Sequence, residues 1–402
     1  MMNKYETILI ELVKSALASE KYTPTGEMNS EELSRIYKES IAQTVSLLAY
    51  SALPENAKSA VPQFETAAFS IAVNNIKITN EHIAIGKALE KQNILYCILK
   101  GYASAAYYPD PKLRAMGDTD FLVAPSDIER ATAAIEEIGY KADKNAELHD
   151  FHYEFIKGNR IAEMHYSISS KTEFGFDPSV LTDDILKSAR VCATPYGEIR
   201  IPSAYHHAII MLLHVYRHYV KNGIGLRHLV DWAVFVNSAD YDSVATELSE
   251  FTESWHLTNF CRMLSQVSCE YLGITKKESF GCFDAKLSSE FMNDILNAGN
   301  FGRKKESSLQ HLFNSETLDR KGKNYISTFF SSIKERVCFY WPRAEHNIFI
   351  LVAGTVVFTV RYLFRAIIGK GAKIHLIRDY RNAKKQAALH QKLSDAEQNK
   401  GL

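Results

Sequence analysis

Apolar residues recur at three- and four-residue spacing over residues 3–19, about 29–52 and about 62–91, a period that predicts amphipathic helices. Ser30 followed by Glu31 and Glu32 marks a helix start, and Pro54 marks a break. From about residue 94 the pattern changes to short strands alternating with helices. Ile94 to Leu99 is an apolar run that reads as a buried strand. It is followed by Lys100-Gly101, a small-residue turn of helix, and a loop holding Pro109, Pro111 and Arg114. A second strand carries Asp118 and Asp120. Ser126 and Glu129 are spaced as a capping box for a helix ending at Gly139. A polar stretch with His149 and His152 leads to two strands, FHYEFI and RIAEMHYSI, joined by the Lys157-Gly158-Asn159 turn. Helical periods return after Pro202. Ser203 can cap a helix to about Val220 whose stripe holds His207, Met211, His214 and His218. Further helical segments are expected to about 275, over 285–299 and over 323–340. The expected divisions are a helical region 1–93, a core 94–200 and a helical region 201–402 with a basic tail.

Composition changes this picture little. The 402 residues suffice for two or three domains. Lysine plus arginine equals aspartate plus glutamate at 47 each, so net charge gives no strong nucleic-acid signal. The six cysteines lack CxxC spacing, which argues for reduced structural thiols. The N-terminus has no signal-peptide pattern. Asn347 to Val360 is apolar and uncharged, but its 14 residues fall short of the ~20 that span a bilayer. A cytoplasmic protein without a transmembrane segment is expected.

Candidate chemistry lies on the two central strands. Side chains two apart on a strand share a face, so Asp118 and Asp120 point together while Phe121 and Val123 fill the core behind them. Adjacent carboxylates repel, and a bound cation compensates them. On the later strand, expected to be antiparallel to the first, Ile161, Glu163 and His165 share one face and Ala162, Met164 and Tyr166 the other. Three carboxylates so arranged are the platform of two-cation phosphoryl transfer. Lys100-Gly101 at a strand-to-helix turn suits phosphate, since glycine lets backbone N–H groups approach and the helix N-terminus adds positive charge. A lone Asp-x-Asp is a weak signal; its combination with Lys-Gly, a spaced Arg and a downstream strand Glu is specific.

The segment LKGYASAAYYPDPKLRAMGDTDFLV, the helix ending EEIGY, and AEMHYSI together resemble the uncharacterised nucleotidyltransferase family of the polymerase-β-like superfamily. The likeness covers roughly residues 94–310, including HVYRHYV, GIGLRHLVDWAV and AGNFGRKKE. It implies an α+β fold, with a small mixed β-sheet core of polymerase-β-like type flanked by N- and C-terminal helical regions. It places Asp118, Asp120 and Glu163 at the catalytic and metal-binding positions. Lys100, Gly101, Ser104 and Arg114 fall on the nucleotide-phosphate side. The implied activity is transfer of a nucleotidyl group from an NTP to an unknown acceptor with two Mg²⁺ ions, for which Mn²⁺ can substitute. The alternative is a non-catalytic nucleotide-binding or scaffolding relative that binds a partner through its helical regions. Two departures stand out. Lys-Gly, with Ser104 three residues on, replaces the wider superfamily's Gly-Ser, and Thr119 replaces an aliphatic residue between the aspartates.

His214 and His218 have i,i+4 spacing, but Val215 stands where a zinc metalloprotease helix needs Glu. They read either as packed helix-face residues or as groups closing the cleft, as does His165 beside Glu163. Arg227 and Asp231, four apart, can pair on their helix and orient it against the site. The region 347–385 ends in a tail in which Arg361 to Lys385 carries eight Lys/Arg against Asp379. It reads as a core helix with a solvated basic end, with membrane-surface contact and a nucleic-acid grip as the alternatives.

Overall fold

The N-terminal apolar stripes fold as α1 (Lys4–Leu17), α2 (Ser30–Ala42), α3 (Ser46–Ala52), α4 (Glu55–Lys58) and α5 (Pro62–Lys91) in the computed structural model. The described residues are 2–304 except 25, 27, 144–150, 171–175, 222 and 301–303, with short stretches between 334 and 392. α2 starts at Ser30, as expected. Asn29 is its cap, accepting from the Glu32 N–H while the Glu32 carboxylate accepts from Asn29. The segment expected over 29–52 breaks where Thr44 takes a positive φ, which separates α2 from α3.

The central sheet has five strands, β1 (Tyr96–Ile98), β2 (Thr119–Val123), β3 (Lys141–Ala142), β4 (His152–Lys157) and β5 (Arg160–His165), in the order β1-β2-β5-β4-β3. β1 runs antiparallel to β2, and β5 runs antiparallel to β4. β5 lies parallel to β2, not antiparallel as expected. Between β2 and β5 the chain inserts α7 (Ile128–Glu137) and the β3–β4 excursion, and this crossover brings β5 alongside β2 in the same direction. The β4–β5 turn is tight: Lys157 pairs with Arg160, leaving only Gly158 and Asn159 to turn, with Gly158 at φ +64. The capping box expected at Ser126 does not form. The chain enters α7 through a 3-10 turn at Pro125–Asp127 instead, and Asp127 makes no side-chain cap.

One face of the sheet carries the larger apolar core. Ile98, Phe121, Val123, Phe155, Ala162 and Met164 pack there with Ile78, Ile85 and Leu89 of α5 and Ala131, Ala134 and Ile135 of α7. On the opposite face, Cys97, Leu99 and Leu122 are covered by Ile185 and Leu186 of α8 (Thr182–Ser188) and by Ile210. Beyond that cover the same face turns polar. A hairpin that the sequence pattern did not reveal, β6 (Arg190–Thr194) and β7 (Gly197–Ile201), sends Ile199 and Ile201 into the first core.

The remaining helices are α6 (Tyr102–Ala105), α9 (Ala204–Lys221), α10 (Leu226–Val236), α11 (Ala239–Ser254), α12 (Thr258–Leu272) and α13 (Ala285–Ala298). Ser203 caps α9 as expected, its Oγ accepting from the His206 N–H. Gln43, at the end of α2, caps α10: its Oε1 accepts from the Leu226 N–H at 2.9 Å. The six cysteines are free thiols.

Two compact units result, one of Met1–Tyr216 with Leu226–Phe283, the other of Arg217–Gly225 with Asp284–Leu402. In the second unit Tyr219 packs on Phe291 of α13, with ring centroids 5.2 Å apart. There, too, residues 348–357 are helical, and the Asn347 side chain accepts from the Phe349 and Ile350 N–H groups. Among the described residues no helix is long and apolar enough to cross a membrane. Most of the segment expected as a helix over 323–340, nearly all of the basic tail, and His149 lie outside the described residues.

Candidate active site

The polar part of the sheet face holds the carboxylates. Strand register sets Asp120 opposite Glu163 on the neighbouring parallel strand, and Glu154 opposite Glu163 on the far side. Paired residues on adjacent strands point to the same face. With Asp118 just before β2, one oxygen from each of Asp118, Asp120 and Glu163 falls within 4.8 Å of the others. Lys100, at the end of β1, places Nζ 2.7 Å from Asp120 Oδ1. His165 Nε2 lies 3.1 Å from Asp120 Oδ1 and 3.2 Å from Glu163 Oε2. Of the sequence-predicted residues, these five meet in one place.

Their charges are strongly coupled. Burial opposes ionisation of Asp120, yet Lys100 and His165 outweigh it and hold the carboxyl far below its usual range. Asp118 is the exposed member of the pair. The charge of Asp120 beside it, more than loss of solvent, raises its pKa. Burial works against the charged forms of Lys100 and His165, but the carboxylates around them raise both. The site thus concentrates negative charge that Lys100 partly offsets and that favours the protonated form of His165. Oxygen donors in this grouping suit a hard divalent ion such as Mg²⁺.

The Lys-Gly turn is built from below by α5. Gly101 has φ +56, and a Cβ there would sit 2.5 Å from His82 Cε1 of α5, so glycine is required on both counts. His82 is fully buried beneath the turn, and its ring nitrogens find no hydrogen-bond partner among the described residues. Burial pushes its pKa down to about 4. Asn75 of α5 fixes the loop that follows. Its Nδ2 donates to the carbonyls of Lys112 and Arg114, at 2.8 and 2.7 Å, and its Oδ1 accepts from the Met116 N–H at 2.9 Å. The helix after the turn, α6, is a single turn of four residues, too short to supply much of the dipole expected of it.

Arg114 makes its described hydrogen bonds within the protein. Its guanidinium is 5% exposed and binds Asp231 through Nε and Nη2, both at 2.8 Å. Nη1 donates to the Gly101 carbonyl at 3.1 Å. These bonds tie Arg114 to the turn at Gly101 and to α10 at Asp231. Asp231 also accepts from the Tyr108 hydroxyl at 2.8 Å. Its described hydrogen bonds therefore go to the loop, where the i,i+4 pairing with Arg227 was expected. Burial disfavours the Asp231 charge, but Arg114 outweighs it and keeps the pKa low. Arg227 is half-buried in the same region, where desolvation and the charge of Arg114 lower its pKa.

Ser104 is buried in α6. His214 is half-buried, its ring 5.7 Å from that of His228, and His218 belongs to the second compact unit. Thr119 lies on the core side of β2, fully buried, and its hydroxyl has no partner among the described residues. Sequence reasoning passed over His152, His82 and Asn75 as site residues. For His152 a signal existed: a two-residue turn pairing Lys157 with Arg160 sets His152 opposite His165.

No curated protein matches the chain. Among solved structures, the crystal structure of ANT(2")-Ia in complex with adenylyl-2"-tobramycin is similar at 14% identity, covering 45% of this chain and 99% of that one, with a TM-score of 0.34. The solution structure of the antibiotic-resistance factor ANT(2'')-Ia is similar at 14% identity over 45% and 94% of the two chains, with a TM-score of 0.32. The family described as uncharacterised nucleotidyltransferase matches residues 29–273, which takes in α2 to α12 and every carboxylate of the site, and the chain belongs to that family.

Proposed function

We propose that the protein transfers a nucleotidyl group from an NTP to an acceptor hydroxyl or phosphate with the help of two Mg²⁺ ions. The observation that carries this reading is the pairing of Asp120 with Glu163 across two parallel strands, with Asp118 completing a three-carboxylate group. Asp118, Asp120 and Glu163 would hold the ions. When bound, such ions supply charge neutralisation at the attacking and leaving oxygens. The acceptor oxygen forms a bond to the α-phosphorus as the bond to the bridging oxygen of the leaving pyrophosphate breaks. Glu163, the half-exposed carboxylate, takes the acceptor's proton. Lys100 and the backbone N–H of Gly101 bind phosphate oxygens, while Arg114 holds the turn through the Gly101 carbonyl.

A second reading has an observation in its favour. Asp120 already has Lys100 Nζ at 2.7 Å and His165 Nε2 at 3.1 Å, so its charge is offset within the protein by Lys100 at least. That suits a non-catalytic relative that binds nucleotide and a partner. The test is transfer of label from α-labelled NTPs to components of a cell lysate, with Mg²⁺ and with chelator, comparing the wild type with Asp118→Asn. Transfer that needs both Mg²⁺ and Asp118 supports the enzyme. NTP binding by calorimetry without transfer supports the second reading.

A further inference from the structure

His152 and His165 both turn a ring nitrogen toward Glu163, and the transfer chemistry above uses neither. We propose that His152, Glu163 and His165 form a second metal site, for a borderline transition-metal ion of the zinc and cobalt kind. It shares the Glu163 carboxylate with the oxygen-only site at Asp118 and Asp120, and in that sharing it rests on the reading above.

Register makes the site. His152 and His165 are paired residues of β4 and β5, and Glu163 is on the same face two residues from His165. His165 Nε2 is 3.2 Å and His152 Nε2 4.0 Å from Glu163 Oε2, and one ligating atom from each residue falls within 4.8 Å of the others. Two ligands held about 2.0–2.1 Å from one tetrahedral ion stand about 3.3 Å apart. His165 and Glu163 already meet that spacing, and His152 needs to close by about 1 Å.

The surroundings fit a metal-bound imidazole. His165 Nδ1 faces the Ser167 carbonyl at 3.4 Å. An ion would take the place of the Nε2 proton that Asp120 and Glu163 face at 3.1 and 3.2 Å, while a proton on Nδ1 faces the Ser167 carbonyl, the arrangement by which an outer partner fixes the tautomer of a metal-bound histidine. Phe151 backs both rings, with centroids 4.5 Å from His152 and 5.7 Å from His165. Both histidines are buried, while Glu163 is half-exposed and gives an ion a side from which to enter. Two imidazoles and a carboxylate suit zinc, cobalt or iron and discriminate against magnesium, whereas the three neighbouring carboxylates have the opposite preference. One glutamate thus stands between a hard site and a softer one.

The experiment is titration of the chelator-stripped full chain with Co²⁺, read by its visible absorption, with no nucleotide present. We expect a one-equivalent cobalt band that Zn²⁺ displaces and millimolar Mg²⁺ does not. His152→Gln should weaken cobalt binding at least about tenfold, since even loss of an outer partner costs that much. Asp118→Asn should leave it unchanged. Equal cobalt binding by wild type and His152→Gln, or displacement by Mg²⁺, overturns the assignment. Zinc-edge X-ray absorption of the wild-type protein decides the matter without any variant: two imidazole ligands are expected, and an oxygen-only shell overturns it. Histidine-dependent cobalt binding in a protein that transfers no nucleotide upholds this site and counts against the transfer reading alone.

Discussion

Asp120 and Glu163 are paired residues of neighbouring parallel strands, and Lys100 and His165 each bind Asp120 within 3.1 Å. Asp118, one step along the same face, has no ion pair among the described residues and is raised in pKa by Asp120. The two aspartates should therefore respond oppositely to loss of charge. In chelator, Asp118→Asn relieves repulsion and should leave the melting temperature unchanged or slightly raised, while Mg²⁺-dependent transfer falls on the order of a hundredfold or more. Asp120→Asn leaves Lys100 and His165 without their shared partner and should cost about 3 kcal/mol of stability. Parallel thermal melts of the two variants check this, and equal destabilisation would count against the arrangement.

Gly101 and His82 form a stacked pair that can be tested by a cycle of mutants. Gly101→Ala adds a Cβ at φ +56 and drives it onto the His82 ring. Backbone strain and overpacking together should destabilise by roughly 2–4 kcal/mol. His82→Ala removes the ring and with it the clash, but not the strain. Urea unfolding of both singles and the double should show a favourable coupling of about 1 kcal/mol or more. Additive effects would mean that the ring yields freely.

The site was legible wherever local period or turn chemistry governs it. Alternation on β2 puts Asp118 and Asp120 on one face and Phe121 and Val123 on the other, and the packing agrees, with Phe121 and Val123 in the core. The Gly158-Asn159 turn likewise fixes the β4–β5 register. What a sequence pattern cannot carry is long-range partnership. The parallel alignment of β5 on β2 depends on a crossover through α7, β3 and β4. Arg114 reads as a loop residue, and nothing local to it announces its partner Asp231, 117 positions on. His82 and Asn75 lie in the middle of a 30-residue helix whose period marks them only as helix residues, and their partners come from another element. The β6–β7 hairpin was overlooked because its strands are half-exposed and mixed in polarity, although the two-residue turn between Thr194 and Gly197 signals it.

The Arg114–Asp231 pair is buried, bidentate and tied to the Gly101 carbonyl, so its loss should show first in stability and then in the turn. Asp231→Ala strands a guanidinium that is 5% exposed and should cost about 3–5 kcal/mol. Arg114→Lys keeps the charge but cannot make the two-pronged contact, and should still lose a large share of that. Urea midpoints measure both. If Arg114 gripped the triphosphate directly, Arg114→Lys would instead raise the KM for NTP at unchanged stability.

His82 also gives the fold a pH dependence. Its ring is buried and neutral, with a pKa of about 4 against an ordinary value near 6.5. Between those values the unfolded chain binds a proton that the folded chain refuses, so stability falls as pH falls through this window and is level above it. At pH 5 the loss from this one residue should be about 2 kcal/mol. His207, buried with its pKa pushed down to about 3, adds a loss of the same sign. Urea midpoints at pH 7 and pH 5 should separate more for the wild type than for His82→Leu, which has no proton to take up. Equal separations would mean that His82 finds a partner for its charge in acid, and that the turn above it opens to provide one.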